Sequence, residues 1–293
     1  MIQVAVISGK GGTGKTTLTG ALASYFKGKI AVDGDVDASN LYMLFDPVMK
    51  EKHDYVASKK ALIHKEGCIK CGICRDVCIF DAVRVDQNGY FYINPFACEG
   101  CAYCYYACPV NVIDMYDEKS GEYYWGDSER GPVAYARLFP GEETSGGLVA
   151  EVRRIALSKA LESPEKPSII IDGAPGVACP ATSSITGTNY VIVVTEPTVS
   201  GLHDLERAAQ MIEHFSIPFG VVINKYDLSE DKTEEIKKWC EDRGIDFLGQ
   251  IPFDPKVVDA TRQAKPIIDV FPDSPASKAI LDIIHRLQEK LGL

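Results

Sequence analysis

Two sets of residues in this chain have types and spacings suited to chemistry. One is a glycine-rich loop with two lysines near the N-terminus; the other is eight cysteines in two short runs. The loop, Ser8-Gly9-Lys10-Gly11-Gly12-Thr13-Gly14-Lys15-Thr16-Thr17, fits the phosphate-loop pattern G-x-x-x-x-G-K-[ST] at every fixed position. Its glycines let the backbone wrap a phosphate with the N–H groups turned inward, and a helix that begins there presents its positive end to the same anion. Lys15 should reach the β- and γ-phosphates of a nucleotide, and the Thr16 hydroxyl should ligate Mg²⁺.

The cysteines read Cys68-x₂-Cys71-x₂-Cys74-x₃-Cys78 and Cys98-x₂-Cys101-x₂-Cys104-x₃-Cys108-Pro109. This spacing resembles the bacterial ferredoxin run, used twice. Three thiolates from a tight loop hold one [4Fe–4S] cube, and the fourth, one helical turn on, ligates the other cube. The resemblance assigns Cys68, Cys71, Cys74 and Cys108 to one cluster, and Cys98, Cys101, Cys104 and Cys78 to the second. Zinc sites pair cysteines two by two, so the third cysteine of each run speaks for clusters. The first run ends Cys78-Ile79 without the proline that follows Cys108, but that proline shapes the chain and is not a ligand.

The elements that must position these groups follow from apolar patterning. Ile2 to Ile7 is an apolar, β-branched strand, and Leu18, Ala21, Leu22 and Tyr25 mark the helix after the loop. Residues 28 to 33 read as a second buried strand running into Asp33-Gly34-Asp35-Val36-Asp37. Ser168-Ile-Ile-Ile-Asp172 is a third, followed by the small-residue turn Gly173-Ala174-Pro175-Gly176. Carboxylates at the C-terminal ends of parallel strands sit where α/β sheets bind ligands. Further strands are expected at 189–194 and 219–223, with helices at 148–161, 200–215 and 276–291 and a loop at 141–147. The apolar stripe of the last helix reads as core packing. Between the cysteine runs, residues 82–86 and 90–93 flank Asn88-Gly89 as a hairpin. Tyr90, Phe91, Tyr92, Tyr103, Tyr105 and Tyr106 read either as aromatics packed around the clusters or as ordinary core aromatics of a small domain. Segments 123–125 and 133–138 look like strands returning to the main sheet.

Lys10, a second lysine inside the loop, resembles the deviant Walker A of the MinD/ParA family, which includes the nitrogenase iron protein. That resemblance implies a dimer that sandwiches nucleotide, with Lys10 reaching the partner's phosphates, either as a homodimer or with a related ATPase. It makes Asp35 the switch I residue that orients the attacking water and Asp172 the Walker B ligand of Mg²⁺. It implies base contacts from Asn224 and from backbone near Pro252. Asn224-Lys225-Tyr226-Asp227 also looks like the guanine-reading N-K-x-D of GTPases, so Asp227 keeps GTP open beside the favoured ATP. Cys179 lies seven residues after Asp172, the offset of a cluster cysteine in the iron protein. This implies either a redox or bridging-cluster role at a dimer interface or a small packing residue. Cys240, on a charged helix, is expected to be structural.

The chain has 293 residues, 46% hydrophobic and 25% charged, with a net charge of −10. It can bury a large core plus an extra module. The acidic balance argues against a nucleic-acid surface. No leader or membrane-spanning run is visible, and ten cysteines fit metal binding in a cytoplasmic protein better than disulfides. The expected architecture is a mostly parallel α/β P-loop sheet of SIMIBI type (1–48 and 132–293) with an inserted α+β ferredoxin-like domain (49–131). Three functions fit: ATP-gated electron transfer to a redox or metalloprotein client, assembly or carriage of a cluster or metal, and a redox-sensing regulatory switch.

Overall fold

The computed structural model describes residues 1–26, 28–142 and 145–292. The phosphate loop joins strand β1 (Gln3–Ser8) to helix α1 (Lys15–Tyr25). Strand β2 (Ile30–Asp33) and helix α2 (Leu41–Phe45) follow. Strand β3 (Val48–Ile63) then leads into the cysteine-bearing segment, with helices α3 (Ile73–Asp76) and α4 (Tyr103–Ala107) either side of the hairpin β4 (Val83–Val85) and β5 (Phe91–Ile93). The chain returns through β6 (Ile113–Ser128), β7 (Gly131–Leu138) and helix α5 (Ser145–Glu162). Strand β8 (Ile169–Pro175), helix α6 (Cys179–Ile185), strand β9 (Tyr190–Thr195), helix α7 (Val199–His214) and strand β10 (Phe219–Asn224) come next. Helix α8 (Glu230–Arg243), strand β11 (Asp246–Ile251) and helices α9 (Lys256–Arg262), α10 (Ile267–Val270) and α11 (Pro275–Leu291) complete the chain. The expected loop at 141–147 includes residues 143 and 144, which lie outside the described residues; α5 begins at Ser145.

The chain divides into two compact units. The first comprises Met1–His53, Glu122–Leu138 and the chain from Ser145 on; the second comprises Asp54–Gly121 with the described part of Phe139–Thr144. The expected boundary at 49 falls inside β3, a 16-residue strand shared by both units, as the 16-residue β6 also is; residue 131 opens β7, within the first unit.

The sheet order is β11-β10-β9-β1-β8-β2-β7-β6-β3. Strands β1, β8, β9, β10, β11, β2 and β7 pair in parallel, so the expected mostly parallel α/β sheet is what forms. The central strands Ile169-Ile170-Ile171 and Val191 to Val194 are buried along their whole length, as strands covered on both faces must be. Leu18 and Leu22 of α1 pack in the same core as Ile280, Ile284 and Leu287 of α11, so the last helix is a core element. In register, Val6 and Asp33 both lie opposite Asp172, which gathers the carboxylate-bearing strand ends beside the phosphate loop.

The second unit has its own core of Ala61, Ile63, Ala82, Val83, Phe91, Cys98, Cys104 and Ile113. Its hairpin is antiparallel with Val83 opposite Ile93, and its turn is set by Asp86, whose side chain accepts from the Asn88 and Tyr90 amides.

Candidate nucleotide site and thiol-lined cavities

Gly14 precedes α1 with φ +91°, and a Cβ there would stand 2.3 Å from the Asn224 side-chain nitrogen. Only glycine fits. Asn224 Nδ2 donates to the Thr13 carbonyl at 2.7 Å, and its Oδ1 accepts from the Lys225 amide. The residue expected to touch a base thus braces the phosphate loop from the end of β10. Pro252 follows β11 and is half-buried; beside it, the Phe253 amide donates to Asp227 Oδ1 at 2.8 Å. Asp227 therefore holds the Pro252 segment.

Lys15 is 6% exposed, and its Nζ lies 3.1 Å from Asp172 Oδ1 and 3.5 Å from Asp35 Oδ2. Burial pulls the ammonium pKa down, but the two carboxylates more than offset this and leave it raised. Thr16 Oγ1 donates to Asp172 Oδ2 at 2.6 Å, so the two residues expected to hold Mg²⁺ are already together. Thr19 Oγ1, one turn along α1, lies 2.9 Å from both Asp172 Oδ1 and the Lys15 carbonyl. Asp33 is fully buried. Its Oδ2 accepts from the Ser39 hydroxyl and the Leu41 amide, while its Oδ1 has no partner. Burial and the neighbouring Asp172 push its pKa up to about 7. Burial also raises Asp35, against the pull of Lys15.

Lys10 is half-exposed, 3.2 Å from Glu196 Oε2, and Lys225 Nζ donates to the other oxygen of Glu196 at 2.7 Å. Burial would raise Glu196, but Lys225 and Lys10 hold its carboxyl below the usual range. Within this chain, then, the signature lysine rests on its own β9–α7 loop. Sequence reasoning missed Thr19 and Glu196. Thr19 could have been found from its i+4 spacing to Lys15; Glu196 had no local signal.

All ten cysteines are free. One cavity of the second unit is lined by Cys68, Cys71, Cys74 and Cys108, with Phe91 and Ile113. Another is lined by Cys78, Cys98, Cys101 and Cys104, with Phe80 and Tyr103. Each cavity takes three thiols from one run and the fourth from the other. Burial pushes Cys74 up to about 11 and raises Cys104. Of the aromatics, Phe91 and Tyr103 line the cavities; Tyr105 and Tyr106 meet edge to face, and Tyr106 is exposed. Cys179 is exposed at the start of the seven-residue α6, and Cys240 is buried. No helix among the described residues is long and apolar enough to cross a membrane.

A phosphate loop between a buried parallel strand and its helix, facing carboxylates on two neighbouring strand ends, defines a P-loop nucleotide site on a doubly covered α/β sheet. A family description, the CobQ/CobB/MinD/ParA nucleotide-binding domain, matches residues 4–267, and the chain belongs to this family. An uncharacterized protein of Methanocaldococcus jannaschii is 31% identical over 99% of this chain and 97% of its own length. An iron-sulfur cluster carrier protein of Pyrococcus furiosus is 26% identical, covering 99% of this chain and 86% of its own. The septum site-determining protein MinD of Pyrococcus horikoshii, solved with Mg-ADP, superposes with a TM-score of 0.57 at 19% identity, covering 99% and 97%. At that identity the likeness shows the fold.

Proposed function

We propose that this chain is a MinD-like ATPase that binds and hydrolyses MgATP, carries two resident [4Fe–4S] clusters, and couples nucleotide state to electron transfer to a partner protein. The observation that carries the reading is the pair of cavities, each lined by four thiols shared between the two runs. Among the described residues, no group of three or more His, Cys, Asp or Glu converges tightly enough for a single metal ion. Thiols spread around a cavity suit a cube better than one zinc. Cys68, Cys71, Cys74 and Cys108 would hold one cluster, and Cys98, Cys101, Cys104 and Cys78 the other. When bound, such clusters supply one-electron chemistry.

At the nucleotide site, Thr16 and Asp172 would hold Mg²⁺, and Lys15 would leave Asp172 and Asp35 for the phosphates. Asp35 would orient the attacking water. The engagement of Asp227 with the Phe253 amide favours ATP over GTP, because that carboxylate is already occupied. Lys10 would leave Glu196 to act across a nucleotide-sandwich dimer, formed with a second copy or with a related ATPase. The setting is cytoplasmic, with a redox or metalloprotein client and no nucleic acid or membrane.

A second reading, assembly or carriage of an iron–sulfur or metal centre, is favoured by the similarity to the Pyrococcus furiosus carrier over almost the whole chain. There the exposed Cys179 would serve transfer. One experiment separates the two: anaerobic EPR of the dithionite-reduced protein with total iron, before and after MgATP and a neutral acceptor dye. Loss of the reduced signal only with MgATP, at constant iron, supports gated electron transfer. Loss of signal with iron passing to a chelator supports carriage. A protein that binds no iron refutes both.

A further inference from the structure

Lys60 is the one charged residue of the second unit that is buried, among the described residues, at 9% exposure. Its Nζ donates to the Cys98 carbonyl at 2.8 Å, and no carboxylate of the described residues pairs with it. Burying a cation is unfavourable unless a counter-charge compensates it. One carbonyl dipole does not compensate a full charge.

The position of this lysine is fixed twice. Ala61 and Ile63, its neighbours on β3, belong to the same core as Cys98 and Cys104. Gly100, with φ +65°, comes so close to β3 that a Cβ would stand 2.0 Å from the Lys59 carbonyl oxygen. The second cysteine loop and the backbone that carries Lys60 are therefore in direct contact, and the ammonium cannot swing away without losing its bond to the loop.

Among the described residues, the cavity of Cys68, Cys71, Cys74 and Cys108 has no buried cation of this kind. The cations that flank it in sequence are exposed to solvent, and Arg75 lies over the ring of Phe91, which lines the cavity. Lys65 pairs with Asp86 at 2.7 Å, and Lys70 donates to the Asn88 carbonyl and sits 3.7 Å from the centre of the Tyr90 ring. Arg75 is more than half exposed. Water screens such charges; it screens Lys60 far less.

We infer that Lys60 is the electrostatic partner of the cluster held by Cys98, Cys101, Cys104 and Cys78, and that it makes this cluster the easier of the two to reduce. The inference rests on the two-cluster reading above. A 2+ core held by four thiolates is a dianion, and one electron makes it a trianion. A buried cation stabilises the second more than the first, so it raises the potential. An electron entering the second unit then rests at the Lys60 side. Lys60 is a positioning charge for that electron and ligates nothing.

The test is an anaerobic potentiometric titration of the full-length protein, followed by EPR, with dithionite as electron source and iron counted per chain. Lys60→Met keeps the apolar stem and removes the charge; Lys60→Arg keeps the charge. The wild type should bind about eight iron atoms and titrate in two steps. In Lys60→Met one step should fall about tenfold in electron affinity, which for a one-electron couple is about 59 mV. Lys60→Arg should restore it. In a Cys71→Ser background, which alters the other cluster, the shift should persist. Full iron with both steps unmoved in Lys60→Met overturns the inference, as does a shift that Lys60→Arg reproduces or one that vanishes in the Cys71→Ser background. Loss of half the iron from Lys60→Met supports it if Lys60→Arg keeps that iron and overturns it if both lose it. A wild type without iron overturns the two-cluster reading itself, which iron analysis alone reveals.

Discussion

Replacing Lys15 by Met should cost the nucleotide-free protein far more than a surface lysine would. The Lys15 ammonium is 6% exposed, 3.1 Å from the buried Asp172 and 3.5 Å from the partly buried Asp35, and the fully buried Asp33 adds a third carboxylate nearby. Without the lysine, three carboxylates face one another with no cation between them. Breaking a buried pair by removing one partner costs about 3–5 kcal/mol. At about 2–4 °C per kcal/mol for a domain of this size, the first unit should melt about 10 °C lower.

The pH dependence has a definite sign. Burial and Asp172 hold the Asp33 carboxyl up at about 7 against the ordinary 3.8. Between those values the folded chain keeps a proton at Asp33 that the unfolded chain has released. Stability therefore falls as pH rises through this window. Lys15 works to hold Asp33 down, so its removal extends the window upward, and the variant should lose more stability at about pH 8 than at about pH 6. Calorimetry of the apo-protein at both pH values, with and without millimolar Mg²⁺, measures this; the cation should restore part of the loss in the variant and little in the wild type. A melting shift below about 2 °C at both pH values would show that Lys15 does not compensate these carboxylates, and the charge reasoning would fall.

Gly100→Ala puts a Cβ against the Lys59 carbonyl at a left-handed φ of +65°, and should cost about half the iron per chain while leaving the ATPase intact. Arg153 donates to the Ser183 and Thr186 carbonyls at 2.6 and 2.7 Å, and burial pulls its pKa down to about 10. Arg153→Met strands both carbonyls at the end of α6 and should lower stability by about 2–4 kcal/mol in a urea titration. Asp227→Ala frees the Phe253 amide and loosens the segment beside Pro252; calorimetric titration should show ATP binding about tenfold weaker with no gain for GTP. A gain for GTP would return Asp227 to base recognition.

The phosphate loop was legible because its motif is local: every residue of the pattern lies within ten positions. Spacing within each cysteine run shows which three thiols share a loop, whereas the fourth thiol of each group was expected only from the resemblance to the ferredoxin run. Strand β3 was not legible. Its first half, Lys50-Glu51-Lys52-His53-Asp54, carries the charges of an edge strand and shows no apolar alternation. Missing it hid Lys60 and set the domain boundary at 49, where the strand is still part of the first unit. Glu196 and the bracing role of Asn224 depend on partners 186 and 211 positions away, Lys10 and Thr13, and no window of sequence brings such pairs together. Asp33 read as a ligand-end carboxylate, whereas its hydrogen bonds go to Ser39 and Leu41 of its own chain.

That use of Asp33 bears on how nucleotide state could be felt elsewhere in the proposed function. β2 and β8 are neighbours with Asp33 opposite Asp172, yet the chain between them runs through α2, β3, the whole second unit, β6, β7 and α5. Asp33 fixes the start of α2 through the Ser39 hydroxyl and the Leu41 amide. Tyr42 of α2 stacks on Tyr135 of β7 at 4.9 Å, and Tyr135 stacks on Tyr124 of β6 at the same distance. A nucleotide can shift this arrangement only by making different contacts in its two states. In the proposed function Lys15 would change partners, from Asp172 and Asp35 to phosphate oxygens. With Lys15 gone, a divalent cation would take its place among the carboxylates. In the proposed function nucleotide and Mg²⁺ would then act together on Asp33, the residue that fixes the start of α2.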